Sequence, residues 1–162
     1  MFAQGSKLAY FQEPIDFAHW FNLVGAILLF LFNKVFPRNT LNTTAAFVTT
    51  LGIIAHIGLC TIDFIMWSFG NDDIARTALS EHISNTPSIL YPFIIGPSLL
   101  FVGLAMHALN FIKSNTIPSL MVIIGAPAVG FSFFILKNGT YMVLSCLLFA
   151  LGLLLLLYRK EK

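Results

Sequence analysis

Apolar residues in this chain gather into five long blocks, 17–36, 45–69, 89–112, 117–136 and 141–158, divided by short polar connections. Wound as a helix at about 1.5 Å per residue, each block reaches roughly 27–37 Å, enough to cross a hydrocarbon core of about 30 Å. The pattern predicts one all-α domain, an integral membrane bundle of five transmembrane helices. Proline interrupts two of the blocks. Gly96-Pro97 falls within the third and Gly125-Ala126-Pro127 within the fourth, so both helices are expected to kink, because proline lacks an amide hydrogen and crowds the preceding turn.

Composition supports the same solvent, since 57% of the residues are hydrophobic and only 10% charged, too little polar surface to coat a water-soluble globule. The net charge of +2 is what remains of nine basic and seven acidic residues spread along the chain. No dense basic stripe is present, which argues against nucleic acid as a partner. The lipid bilayer is the expected one, together with a second copy of the chain or another membrane protein.

Taking the five spans as given, Lys34, Arg38, Lys113, Arg159, Lys160 and Lys162 fall on one side and Lys7, Arg76 and Lys137 on the other. The cation-rich side is the expected cytoplasmic one, which puts the amino terminus outside and the carboxyl terminus inside a cell membrane crossed several times. Trp20, Trp67, Tyr91 and Tyr141 fall near the outer ends, where amphipathic rings settle at headgroup level. The first block follows Glu13 and Asp16 and runs into Asn33-Lys34 without a small-residue cleavage site, so it reads as a retained span with Pro14 in its first turn. Residues 70–88 are read as an outer loop holding a short helix, capped by Asn71, with Asp72 and Asp73 at its positive end. Its Ile74, Ala78 and Ile83 are expected on the membrane surface.

Candidate chemistry concentrates on the second span. Helical periodicity places Thr49, Gly52, His56, Cys60, Asp63 and Trp67 on one narrow face, a polar seam that should meet protein or water rather than lipid. Asp63 is its costly member, at about 2.5–3.5 kcal/mol for a carboxylate at mid-helix on insertion scales. Its own protonation, a contact with His56, or a wet outer vestibule with His19 near the mouth can each offset that cost.

Three readings follow: a packing role through interhelical hydrogen bonds, an ion or proton pathway through Asp63, His56, Cys60, Thr49 and His19, or a metal or haem site. In the pathway reading the breaks at Gly96, Pro97, Gly125 and Pro127 shape a cavity. The haem reading is weakened by depth. His107 belongs near the inner end of the third span, about 10 Å from His56 at helical rise, so no metal and no cofactor is expected. His107 with Asn110 reads as an interfacial polar pair, with quinone or lipid-headgroup contact as the sharper alternative. Cys60 and Cys146 both fall inside spans and imply no disulfide framework.

The stretch from Gly96-Pro97-Ser98-Leu99-Leu100 through Gly103-Leu104-Ala105, then Ile117-Pro118-Ser119-Leu120 and Leu151-Gly152-Leu153, resembles small uncharacterised bacterial multi-spanning membrane proteins. The resemblance covers residues 96–155 and carries no catalytic residue across. Taken together, the expected protein is a bacterial inner-membrane component with an accessory, regulatory or interaction role. The alternative is a small proton- or ion-coupled transporter or channel, and an enzyme is the least favoured reading.

Overall fold

A computed structural model describes residues 17–158, helical apart from short connections and without a strand among them. The Pro14 helix start, and the terminal cations Lys7, Arg159, Lys160 and Lys162, lie outside the described residues. Helix α1 (Phe17–Phe32) stops four residues short of the apolar block it opens. Asn33-Lys34 turns back on it there, with Lys34 N bonded to Leu31 O, and Pro37 then keeps residue 36 out of helical geometry. Helix α2 (Thr40–Ser68) begins upstream of its apolar block instead. Asn39 caps it by accepting from Asn42 N at 2.8 Å, while Thr43 and Thr44 return their hydroxyls to the carbonyls of Asn39 and Thr40. Polar residues thus enter the helix with their groups already satisfied.

The 70–88 segment forms α3 (Asp73–Ser84), capped by Asp72, whose side chain accepts from Ala75 N at 2.9 Å. Asn71 is therefore not the cap expected from the sequence: the helix starts one residue later, beyond its reach. Of the three α3 residues expected on the membrane surface, Ile74 and Ala78 are exposed, but Ile83 is buried against protein.

The break at Gly96-Pro97 is present as a defined backbone change. A single turn α4 (Pro87–Leu90) continues into a π-helical turn, Tyr91–Ile95, and regular winding resumes as α5 (Ser98–Leu109). Pro97 cannot donate to the preceding turn, and the wider π turn relieves the crowding. The Ser98 hydroxyl takes up Ile95 O at 2.6 Å. Helix α6 (Thr116–Phe131) behaves differently, holding Pro127 inside its run and turning π-helical only at Ser132–Leu136. Lys137, in the left-handed region at φ 48°, ends that run, and Asn138 accepts from Thr140 N and Tyr141 N at the start of α7 (Gly139–Tyr158).

Helices pack in chain order, α1 on α2, α2 on α5, α5 on α6 and α6 on α7. The α2–α5 crossing is close. A Cβ at Gly52 would fall 2.5 Å from Leu100 Cα, and one at Gly103 2.6 Å from Thr49 N, so each helix supplies a glycine that admits the other's backbone. Ile53, Leu104 and Val122 are fully buried at the centre, with Leu100, Ala126, Phe149 and Leu153 around them.

Large apolar side chains cover the outside as well: Phe21 is 74% exposed, Phe47 64% and Leu154 61%. Such a surface is unfavourable in water and suited to acyl chains. Three helical segments, Thr40–Ser68, Pro87–Leu109 and Gly139–Tyr158, are long and apolar enough to cross a membrane. The apolar runs of α1 and α6 are shorter.

Candidate functional site

Asp63 finds its partner on another helix. Its Oδ2 lies 3.2 Å from Nε2 of His19 on α1, and His19 is buried while the Asp63 side chain stays 31% accessible. Phe64 meets the His19 ring edge-on at 6.0 Å and tilts against Trp20 at 5.2 Å, so aromatic packing seats α1 on this end of α2. A carboxylate paired in this way avoids the cost of an isolated charge among apolar groups, and the pair can hold one exchangeable proton between an imidazole and a carboxyl. His56, two turns away on the same helix, is half-buried.

Three further members of the seam are packed shut, while Trp67 is half-buried. Thr49 is fully buried, gives its hydroxyl to Ala45 O at 2.7 Å and lies under Gly103; Gly52 lies under Leu100, and Cys60 is buried. The break residues are likewise placed against neighbours. A Cβ at Gly96 would fall 2.6 Å from that of Ala55, and one at Gly125 2.9 Å from Phe149 Cα; Pro97 is buried, and Pro127 lies on an exposed face of α6. Among the described residues no group of three or more His, Cys, Asp or Glu side chains is gathered to hold a metal ion.

A second polar centre lies at the other end of the bundle, around His107. This ring is fully buried at the end of α5 and stacks on Phe36 at 4.3 Å with the planes 11° apart. Amides surround it. Asn42 Nδ2 donates to Pro37 O at 2.7 Å, which turns Asn42 Oδ1 to accept from Asn110 Nδ2 at 2.6 Å and to face His107 Nδ1 at 2.8 Å. An acceptor there requires a hydrogen on Nδ1. Asn33 Oδ1 stands 3.1 Å from Nε2, the arrangement of a ring that donates from both nitrogens. Half a turn of the Asn33 amide serves the neutral ring instead, presenting Nδ2 to the imidazole and Oδ1 to the Thr50 hydroxyl.

Asn39 completes the group, its Nδ2 donating to Asn110 Oδ1 at 2.8 Å. Residues of the α1–α2 connection and the first turn of α2 are thereby clamped to the end of α5. His107 and Asn110 are thus brought together through Asn42, with His107 fully buried and Asn110 half-buried. Sequence reasoning passed over Asn33, Asn39 and Asn42; the available signal was their crowding about the junction between the first two apolar blocks.

Charge divides along the same axis. Of the seven acidic residues only Glu161 follows Glu81 in the chain, and none lies between Asp16 and Asp63. The His19–Asp63 end therefore holds the carboxylates of α2 and α3, while the His107 end holds Lys34, Arg38 and Lys113. Neither a known family, nor a curated protein, nor a solved structure matches this chain.

Proposed function

We propose that the chain is a five-span membrane protein of accessory or interaction type, with its amino terminus outside and its carboxyl terminus cytoplasmic. The observation that carries this reading is the way the interior polar groups turn on one another: His107 on Asn33 and Asn42, Asp63 on His19, and Thr49 under Gly103. What the bundle offers its surroundings is an apolar flank and two polar ends. That surface suits contact with membrane components more than conduction.

Two shorter helices complete the count of five. Helix α1, at 16 residues, reaches about 24 Å, a modest mismatch that Trp20 at one end and the Asn33-Lys34 turn at the other can absorb. Helix α6 gains length from the π turn that carries it to Leu136. Sealed liposomes holding the purified protein and a trapped pH-sensitive dye test the role. No proton leak above empty liposomes is expected, and a leak abolished by Asp63→Asn would overturn the reading.

That second outcome defines the alternative, a small proton- or ion-coupled transporter. It is favoured by one observation, the 3.2 Å His19–Asp63 pair with its carboxyl partly accessible. In this reading Asp63 takes up the proton at the outer end, and His56 stands further along α2.

A further inference from the structure

Two connections remote in sequence are held side by side at the His107 end. Asn39, closing the α1–α2 connection, donates to Asn110, which opens the α5–α6 connection, and Asn110 donates in turn to Asn42. Each cation nearby lies close in the chain to this clamp: Lys34 follows Asn33, Arg38 precedes Asn39, and Lys113 is one turn beyond Asn110. All three are exposed, none is in an ion pair among the described residues, and residues 33–39 and 110–116 contain no acid.

We propose that this end is a docking surface for the headgroups of anionic phospholipids, assembled by the asparagine clamp from the two connections. The proposal rests on the membrane-spanning reading above. Charge complementarity is its first support, since an arginine and two lysines unpaired with any acid among the described residues suit phosphate oxygens, the guanidinium by paired hydrogen bonds and the ammonium groups as point charges. The second is the apolar skirt of the same surface. Val35 is 36% exposed in one connection, and Ile117 is 73% exposed in the first turn after the other. A headgroup held by the cations would leave its acyl chains beside these side chains, whereas a soluble polyanion would gain nothing from them. The buried stack of Phe36 on His107 gives the patch a rigid floor.

Native mass spectrometry of the protein in neutral detergent, titrated with phosphatidylglycerol or phosphatidylcholine, tests the proposal. Phosphatidylglycerol should be retained the more tightly, by roughly fivefold for each cation engaged. The variant K34Q/R38Q/K113Q should lose that preference, and K137Q, at the opposite end, should keep it. Asn39→Ser retains a helix cap but deletes the donor to Asn110, so it should weaken the preference with every cation still present. Equal retention of the two lipids by the unaltered protein, or an undiminished preference in the triple variant, overturns the docking surface. An unchanged preference in N39S overturns the role given to the clamp. Alkaline extraction of membranes separates the two premises: protein released into the supernatant refutes the spanning reading, while protein kept in the pellet without lipid preference refutes only the docking surface.

Discussion

Asn42 faces Nδ1 of His107 with its amide oxygen at 2.8 Å, across 65 residues of chain, and this contact ties the start of α2 to the end of α5. Both residues are buried, so neither has water to fall back on. A buried polar group left without its partner costs about 1–3 kcal/mol. His107→Ala and Asn42→Ala should each lower the melting temperature in detergent, and the double variant should lose less than the two single losses together. Additive losses would show that the contact carries no coupling energy.

Glycine positions give a sharper contrast. Ala at Gly52 or Gly103 must push the facing backbone away, so each substitution should destabilise the bundle by about 1–3 kcal/mol or more. Gly130 has open space where a Cβ would stand, and Ala there should hold or raise stability by up to about 1 kcal/mol through helix propensity. Equal melting temperatures for G103A and G130A would contradict the close crossing.

At the other end, Asp63→Asn keeps a hydrogen-bonding group opposite His19, whereas Asp63→Leu replaces it with an apolar side chain facing a buried imidazole. The first should be tolerated, and the second should lose about 1–3 kcal/mol. Thermal melts of the two proteins, followed by tryptophan fluorescence from Trp20 and Trp67, would reveal the difference. A melt of D63L as high as that of D63N would remove the His19 pairing as a source of stability.

Helix α3 has a local test. Asp72→Ala removes the cap on Ala75 N and should destabilise the helix by about 1 kcal/mol, seen as faster amide exchange over residues 73–77, while Asn71→Ala should leave exchange unchanged. Matching exchange in both variants would mean that Asp72 is not the cap.

The five-span orientation predicts opposite labelling of two serines. In a background with Cys60 and Cys146 replaced by Ala, a cysteine at Ser80 should react with an impermeant maleimide added outside intact cells, and one at Ser114 only after lysis. Labelling of both from the same side would reverse or break the topology.

Much of the helical order was legible in the linear pattern, because a helix that must face lipid carries apolar side chains around most of its circumference and shows as an unbroken block. The ends were less so. Helix α2 begins upstream of its apolar block because Asn39, Thr43 and Thr44 satisfy backbone groups locally, and α1 stops early because Asn33 is spent on contacts with α2 and α5. Hydropathy is blind to both, since it scores a residue's transfer cost and not the partner that cancels it.

By itself, the sequence determined the helical class, the order and apolar character of the helices, and the break at Gly96-Pro97. These follow from local periodicity and composition, which act over a few residues. Only the tertiary structure decided that Asp63 meets His19, that Thr49 and Gly52 are closed over by α5, and that Asn33, Asn39 and Asn42 enclose His107 with Asn110. Such contacts depend on which helix lies beside which and on how each is rotated, and the close approach allowed by Gly52 and Gly103 sets both at once for α2 and α5.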